Sequence, residues 1–366
     1  MSEKAMIGMS GGVDSSVAAL LLRDAGYSCV GVTLKLRTGE AEEAAGSRSC
    51  CSLDDVEDAR SAAFRLGIPH YVFNASALFE EKVIRYFVET YEAGGTPNPC
   101  IECNRHLKFS YMYRRARELG CDCIATGHYA RIERRGDGRW LLKTAADPAK
   151  DQTYFLYMLT QELLARCRFP LGDYSKEEVR QIAASRGLLN AKKRDSQDIC
   201  FVPDGDYFGF LRRYSGKEYP PGNFEDEAGN VLGTHKGLVG YTIGQRRGLG
   251  VSGGRPLYVC RKDLARNAVV LGENDRLFTS VLYGEGVNLI DRDAVEGAIR
   301  CRGKVRYSQT AADCTVTSAG ADRIRIEFDE PQRAVTRGQA VVLYDGDTVI
   351  GGATITETEE LKSGTG

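Results

Sequence analysis

The first third of the chain alternates short apolar runs with amphipathic segments, which is the pattern of a parallel α/β sheet. An apolar run at 4–9 leads into a helical pattern at 13–24, and a nearly continuous apolar run follows at 27–36. Continuous apolar character is typical of a parallel strand that is buried on both faces. The alternation continues to 121–126, so the sequence predicts a doubly wound α/β sheet with ligands at the carboxyl ends of its strands.

Polar residues mark where helices of this region begin and end. Ser52 with Asp55 three residues later has the pattern of a capping box, and Gly67 follows the end of that helical pattern. Ser175 with Glu178 is a second such pair and predicts the start of a later helix.

Beyond about residue 214 the pattern changes to short strand-like runs with frequent glycines. The stretch 236–259 predicts a small β-rich module, and alternating runs from about 281 predict a compact antiparallel barrel. We therefore expect a catalytic domain at 1–213, a central β-rich domain at 214–280, a C-terminal β-barrel at 281–360 and a disordered tail at 361–366.

The composition is that of a soluble globular protein with reduced thiols. Hydrophobic residues make up 42% of the chain and charged residues 27%, and neither a long apolar run nor a signal-peptide pattern appears. We therefore expect a cytoplasmic protein, in which 12 cysteines favour free thiols over a disulfide framework. Four of them fall in strand-like apolar runs, where a small buried thiol is the default: Cys29, Cys123, Cys260 and Cys314.

The net charge of −1 hides two local clusters of basic residues. Local clusters matter more for contact with phosphates than net charge does. Each cluster alone is more often a solvated helix face, so contact with nucleic acid is one of two interpretations. The clusters are Arg105, Lys108, Arg114, Arg115 and Arg117, and the run from Lys192 to Arg194.

The turn after the first predicted strand has the features of a phosphate-binding loop. The sequence SGGVDS at 10–15 places two glycines where the strand gives way to a helix, so backbone N–H groups can surround an anion. The lysine of the G-x-x-x-x-G-K-[ST] loop is missing. Asp14 would repel phosphate unless a divalent cation is present, so Mg²⁺ is expected with it. Such a loop suits a reaction that cleaves ATP between its α and β phosphates.

This loop and five later stretches together carry a family resemblance. The later stretches are TPNPCIECNRHLKF (96–109), ATGHYARI (125–132), KDQTYFLY (150–157), DSQDICFV (195–202) and YTIGQRRGLG (241–250). SGGVDS resembles the loop of the PP-loop ATP pyrophosphatases, and with the later stretches the chain resembles the tRNA 2-thiouridylases over nearly its whole length. The resemblance implies that the first domain is a PP-loop domain, similar to the adenine nucleotide alpha hydrolases.

The resemblance also implies an activity, the ATP-dependent 2-thiolation of the wobble uridine in tRNAs for Lys, Glu and Gln. Adenylation makes the uracil C2 oxygen a leaving group, and a cysteine persulfide then supplies the sulfur. Cys200 matches the persulfide carrier, and Cys103 matches the nucleophile that releases the sulfur by forming a disulfide with it. A cysteine desulfurase or a sulfur-relay protein is the implied sulfur donor.

Further positions match the binding residues of the family. Those that would hold ATP are Gly8, Met9, Ser10, Gly11, Gly12, Val13, Asp14, Ser15, Leu34 and Gly127. Those that would border the target base are Asn98, Pro99 and Cys100. Those that would touch tRNA are His128, Lys150, Asp151, Gln152, Arg306, Tyr307 and Gln339.

One departure from the family leaves a second mechanism open. Many members have aspartate where this chain has Cys100, which forms a C-x-x-C with Cys103. With Cys200 as a third thiolate, these residues could hold a [4Fe-4S] cluster. A C-x-x-C is also found in zinc sites and redox pairs. The adjacent Cys50 and Cys51 have no assigned role beyond a structural one.

Two other functional classes are compatible with the loop. A different PP-loop adenylating ligase would use the same turn but would not need thiols at 103 and 200. A nucleotide-binding RNA-binding protein or iron–sulfur carrier would bind the nucleotide without tRNA-dependent release of pyrophosphate.

Overall fold

The computed structural model describes residues 2–37, 53–188, 199–251 and 254–359. The chain divides into two compact units. The first unit comprises Met1–Ile84, Pro99–Gly205 and Gly346–Ile350, and the second comprises Arg85–Asn98, Asp206–Asp345 and Gly351–Gly366. The three-part division at residues 213 and 280 stays a prediction.

The first unit is built on a parallel sheet. The strands of this sheet are β1 (Lys4–Gly8), β2 (Ser28–Lys35), β3 (His70–Asn74), β4 (Cys123–Ala125) and β7 (Cys167–Arg168), whereas β5 (Arg131–Arg134) and β6 (Trp140–Lys143) pair antiparallel with each other outside it. The sheet has the order β3-β2-β1-β4-β7, and its neighbouring strands run parallel. Ala5, Met6 and Ile7 of the central strand are fully buried, as expected for a strand covered on both faces. The predicted α/β sheet is confirmed.

Helices follow the strands in the predicted alternation. Those of the first unit are α1 (Val13–Asp24), α2 (Leu53–Leu66), α3 (Ser76–Phe79), α5 (Pro99–Glu102), α6 (Met112–Glu118), α7 (Gln161–Arg166) and α8 (Lys176–Ser185), and those of the second unit are α4 (Arg85–Glu92) and α9 (Tyr207–Ser215). Two stretches have π-helical hydrogen bonding: Glu80–Ile84 joins α3 to α4, and Cys103–Tyr111 joins α5 to α6. Short 3₁₀ turns lie at Thr153–Phe155, Leu238–Gly240 and Asn274–Leu277.

The helix boundaries follow the predicted caps where those residues are described. The Ser175 hydroxyl accepts the Glu178 N–H at 3.2 Å, and a carboxylate oxygen of Glu178 accepts the Ser175 N–H at 2.7 Å. This reciprocal capping box starts α8. Helix α2 ends before Gly67, which has a φ of +67°. Ser52, the other predicted cap, lies outside the described residues.

The second unit consists mainly of antiparallel β-structure. Its strands are β8 (Gly222–Glu225), β9 (Val231–His235), β10 (Tyr258–Asp263), β11 (Ala268–Gly272), β12 (Phe278–Leu289), β13 (Ala298–Lys304), β14 (Ala312–Gly320), β15 (Arg323–Arg333), β16 (Ala340–Asp345) and most of β17 (Thr348–Thr358). Strands β8 to β11 form a small sheet in the order β10-β11-β8-β9. Strands β12 to β17 follow the order β12-β15-β14-β13-β16-β17, and β17 pairs back with β12. The predicted C-terminal barrel is therefore closed.

Among the described residues, no helix combines the length and apolar character that a membrane span needs.

A buried residue of the small sheet allows the contribution of this core to stability to be tested. Phe224 is fully buried on β8, with its ring edge-on to His235 and Tyr241 at centroid distances of 5.6 and 5.2 Å. We expect Phe224→Ala to lower the free energy of unfolding by about 3–5 kcal/mol, because it leaves a cavity. Urea unfolding followed by circular dichroism measures the change. Val231→Ala on the neighbouring strand is the control, since Val231 is 61% exposed and its loss should change stability by less than about 0.5 kcal/mol.

Candidate functional site

Three segments of the first unit meet at one edge of the parallel sheet. The loop 9–12 follows β1, Leu34 lies near the end of β2, and Gly127 follows β4. Because β1 pairs in parallel with both β2 and β4, the carboxyl ends of the three strands lie along one edge. Ligands of open α/β sheets bind at this edge.

This edge has glycines where two backbone segments come so close that a side chain would not fit. Gly11 has a φ of +72°, and a Cβ atom there would collide with the carbonyl oxygen of Asp55. A Cβ atom at Gly127 would lie 2.8 Å from the backbone nitrogen of Ser15, in the first turn of α1. Gly12 is the N-cap of α1 and supplies no side chain to it. The turn thus joins a left-handed glycine to a helix N-terminus, which suits a small anion.

The hydroxyl group of Ser15, in the first turn of α1, helps to shape the turn. The Ser15 hydroxyl accepts the Ser10 N–H at 3.1 Å and donates to the carbonyl oxygen of Gly12 at 3.1 Å. The Met9 N–H donates to the carbonyl oxygen of Val32 at 2.7 Å, which ties the loop to β2. Ser15 therefore holds the two ends of the glycine turn together.

A lysine that the sequence analysis did not single out supplies the cation of this site. Lys176 Nζ donates to both carboxylate oxygens of Asp14, each at 2.8 Å. The Lys176 side chain is 10% exposed and the Asp14 side chain 30%. The pair joins the first turn of α8 to the first turn of α1, beside the glycine loop. Asp14, expected to need a divalent cation, thus has a lysine partner.

A buried tyrosine completes this group and connects it to a predicted tRNA residue. The Tyr129 hydroxyl donates to Asp14 Oδ1 at 2.8 Å, and Lys176 Nζ lies 5.9 Å from the centre of the Tyr129 ring. The backbone N–H of Tyr129 donates to Gln152 Oε1 at 2.9 Å, and the Gln152 N–H donates to the Tyr129 carbonyl oxygen at 2.9 Å. Gln152 therefore holds the tyrosine that contacts Asp14. The capping box at Ser175 was the one sequence signal close to Lys176.

The two predicted catalytic thiols lie on segments that pack against the same short helix. Cys103 is half-buried and begins the π-helical stretch, which contacts α3. Cys200 is half-buried and precedes Phe201, whose ring lies edge-on to Phe79 of α3 at 5.8 Å. Both thiols are thus partly accessible near one element of the first unit. Cys100, on α5, is exposed.

The predicted cluster ligands do not form a metal-binding group. Cys100, Cys103 and Cys200 are all described, yet across the described ranges no three Cys, His, Asp or Glu side chains come together as ligands would. The arrangement therefore does not fit a [4Fe-4S] cluster held by these three thiols, and we assign no step to one. Cys50 and Cys51 lie outside the described residues.

Comparison with known families and proteins identifies the family of this chain. Three family models match in order: the tRNA methyl transferase HUP domain at 3–204, the tRNA methyl transferase PRC-barrel domain at 209–273 and the aminomethyltransferase beta-barrel domain at 279–355. A protein of Clostridioides difficile named tRNA-specific 2-thiouridylase MnmA is 51% identical over 97% of this chain and 98% of its own length. Its namesake in Symbiobacterium thermophilum is 49% identical over 97% of this chain and 92% of its own. The chain belongs to the tRNA-specific 2-thiouridylase family.

In the first unit, two of the four residues that match tRNA contacts of the 2-thiouridylases are buried, and the other two are half-buried. The Asp151 carboxylate accepts the Ala145 N–H at 3.0 Å and the Thr153 hydroxyl at 2.6 Å, and Asp151 is buried. His128 is buried between the rings of Phe109 and Phe169. Lys150 is half-buried.

In the second unit, two of the three matching residues, Gln339 and Arg306, donate hydrogen bonds to backbone carbonyl groups of the same unit. Gln339 Nε2 donates to the carbonyl oxygens of Thr96 and Pro97 at 2.9 and 3.2 Å, directly before Asn98. The Arg306 guanidinium donates to the carbonyl oxygen of Ala334. Tyr307 is 38% exposed, with Lys304 Nζ 5.4 Å from its ring centre.

Part of the predicted basic cluster is engaged within its own unit. Arg105 pairs with Glu102 at 3.6 Å, and Arg115 pairs with Glu118 and lies over the Phe73 ring at 4.5 Å. Arg114 and Arg117 are exposed. The run from Lys192 to Arg194 lies outside the described residues. Of the first cluster, Arg114 and Arg117 best fit a solvent-facing role.

Burial of His128 predicts a pH dependence of stability. Burial lowers the pKa of His128 well below its usual value, and the charge of Lys108 lowers it further. The folded chain therefore keeps this imidazole neutral as pH falls through about 6.5, while the unfolded chain takes up a proton. Because of His128 alone, the free energy of unfolding should fall by about 1.4 kcal/mol in total between pH 7.5 and 5.5.

The test compares the wild type with His128→Gln by urea unfolding at pH 7.5 and 5.5. On acidification the free energy of unfolding of the variant should fall by about 1.4 kcal/mol less than that of the wild type. His106→Gln is the matched control, because His106 is partly exposed on the π-helical stretch. Equal pH dependence in wild type and His128→Gln would contradict the assignment. His70 and His235, whose pKa values burial also lowers, contribute equally to all three proteins.

Proposed function

We propose that this chain catalyses the ATP-dependent 2-thiolation of the wobble uridine in tRNA. The observation that carries the proposal is the glycine turn beside the Lys176–Asp14 pair, in a first unit that also presents two half-buried thiols near α3. The proposal is also supported by proteins named tRNA-specific 2-thiouridylase, to which this chain is about 50% identical over nearly its full length. As the resemblance implies, we propose the tRNAs for Lys, Glu and Gln as substrates.

In the proposed first step, ATP binds at the carboxyl edge of the sheet with its outer phosphates at the N-terminus of α1. Leu34 and Gly127 contact the adenosine, and residues 8–15 surround the phosphates. Asp14 lies beside the phosphate site, where a Mg²⁺ ion bound with the nucleotide would neutralise charge on the phosphate oxygens. The uracil C2 oxygen attacks the α-phosphorus, and pyrophosphate leaves.

In the proposed second step, the terminal sulfur of a Cys200 persulfide attacks C2, and AMP leaves. Cys103 then attacks the Cys200 sulfur, so the C2-bound sulfur is released as 2-thiouridine and a Cys103–Cys200 disulfide forms. A thiol reductant must restore both cysteines before the next cycle. A cysteine desulfurase or sulfur-relay protein is the proposed donor of the persulfide sulfur.

The remaining matched residues have proposed roles in holding tRNA. Asn98, Pro99 and Cys100 would border the flipped uracil, since an enzyme that modifies a base atom must take that base out of its stack. Arg306 and Tyr307 would contact tRNA from the barrel, and His128, Lys150, Asp151, Gln152 and Gln339 would position the elements around it. A cytoplasmic location fits this substrate.

Separating the two steps tests the proposal. Cys200→Ser should abolish formation of 2-thiouridine while leaving tRNA-dependent release of pyrophosphate from ATP, because adenylation needs no thiol. Mass spectrometry of digested tRNA measures the product, and a coupled assay measures pyrophosphate. Cys260→Ser is the control, since Cys260 is half-buried on β10 and lies outside the proposed site.

Three outcomes would reject the proposal. Retained formation of 2-thiouridine by Cys200→Ser would show that Cys200 does not carry the transferred sulfur, whereas tRNA-dependent release of pyrophosphate without any 2-thiouridine in the wild type would point to a different adenylating ligase. Absence of tRNA-dependent pyrophosphate release in the wild type would point to a nucleotide-binding protein that does not activate tRNA.

Removing the lysine that pairs with Asp14 tests the nucleotide site separately. Lys176→Met leaves the Asp14 carboxylate without its cation beside the phosphates. We expect the Kd for ATP to rise at least about tenfold, equivalent to about 1.4 kcal/mol. Isothermal titration calorimetry measures it. Arg180→Met removes a positive charge from the exposed face of the same helix and should change the Kd less than about twofold; equal effects of the two changes would contradict a local role for Lys176.

A further inference from the structure

Two cysteines of the C-terminal barrel face each other across neighbouring strands. Cys301 on β13 is the direct cross-strand partner of Cys314 on β14. Their Sγ atoms are 3.7 Å apart, close enough for one thiol to donate to the other sulfur. Cys314 is fully buried and Cys301 is 8% exposed. Neither residue has a part in the proposed thiolation.

The backbone geometry at this pair is compatible with a disulfide. Directly opposed residues of an antiparallel pair have Cα atoms about 4.5 or 5.5 Å apart, and disulfides span Cα separations of about 4.4–6.8 Å. The ladder is regular here, with Ile299 paired to Val316 on one side and Gly303 to Ala312 on the other. Only side-chain rotation is then needed to bring the sulfur atoms from 3.7 Å to bonding distance.

The surroundings make the two thiols unequal. The hydrogen bond from Cys314 lowers the pKa of Cys301, and the charges of Arg292 and Arg300 lower it further. The hydrogen bond with Cys301 and burial raise the pKa of Cys314. The more exposed thiol is therefore also the more readily ionised one, and the thiolate is the reactive form of cysteine.

We propose that Cys301 and Cys314 form a redox-modifiable site, which a two-electron oxidant such as hydrogen peroxide converts into a cross-strand disulfide. The Cys301 thiolate attacks one peroxide oxygen, the O–O bond breaks, and with one proton the products are a sulfenic acid and water. The Cys314 thiol then attacks the Cys301 sulfur, and the sulfenic oxygen leaves as a second water. Two thiols and one peroxide thus give one disulfide and two waters.

The bond would tie together the strands that flank the loop 305–311 of the second unit. This loop carries Arg306 and Tyr307. The site itself needs no part of the proposed function, so its test does not depend on thiolation activity.

The experiment treats the reduced full-length protein with hydrogen peroxide, removes the oxidant with catalase, and alkylates the remaining thiols after denaturation. Peptide mass spectrometry should then find Cys301 and Cys314 in one linked pair, reversible by dithiothreitol. Two cysteines serve as internal references. Exposed Cys100 reports that the oxidant acted, and fully buried Cys123, whose pKa burial raises to about 12, reports whether the fold opened.

We expect the Cys301–Cys314 link to form at least ten times faster than Cys123 is modified. In Cys314→Ala, Cys301 should stop at the sulfenic acid and be captured by a 1,3-dione reagent. In Cys301→Ala, Cys314 should stay reduced. Full alkylation of both cysteines after Cys100 has been oxidised would overturn the proposal. So would a link that appears only together with modification of Cys123, because it would form in unfolded chains.

Discussion

The ion pair between Lys176 and Asp14 is the interaction on which the candidate nucleotide site depends. Burying a lysine at 10% exposure carries a desolvation penalty, which a carboxylate bound by both oxygens offsets. A lysine in the first turn of α8 also opposes the helix dipole, whereas Asp14 in the first turn of α1 agrees with it. The pair is therefore better explained by the charge it places beside the glycine turn than by its contribution to stability.

This arrangement differs from a loop that carries its own lysine. Here the two charged groups lie on different helices, Asp14 on α1 and Lys176 on α8, and the Tyr129 hydroxyl holds the Asp14 carboxylate in place. The site then exists only when α1, α8 and the segment after β4 are all in place. Gly127 fits this requirement, because a side chain there would meet the backbone of Ser15 and push the segment away.

The sequence predicted those features that local patterns determine. The parallel sheet followed from apolar runs, α8 from its capping box, and the turn from Gly11 and Gly12. Lys176 could not be found in this way, because 162 residues separate it from Asp14 and neither residue alone is unusual. The same holds for Gln339, which holds the backbone before Asn98 from 243 residues away. Contacts of this kind depend on topology rather than on neighbouring residues.

The cysteines of this chain differ in reactivity because they differ in burial. Burial raises the pKa values of Cys29, Cys121 and Cys167, so these thiols stay protonated near neutral pH and do not act as nucleophiles. Cys103 and Cys200 are half-buried, on segments that contact α3. An enzyme that transfers sulfur through a persulfide must keep that sulfur from its own remaining thiols, since any accessible thiolate would attack it. Burial of Cys29 on β2, Cys167 on β7 and Cys121 just before β4 meets this requirement for these three thiols, whereas Cys100 stays exposed. The cross-strand pair in the barrel is different, because there one thiol makes its neighbour easier to ionise.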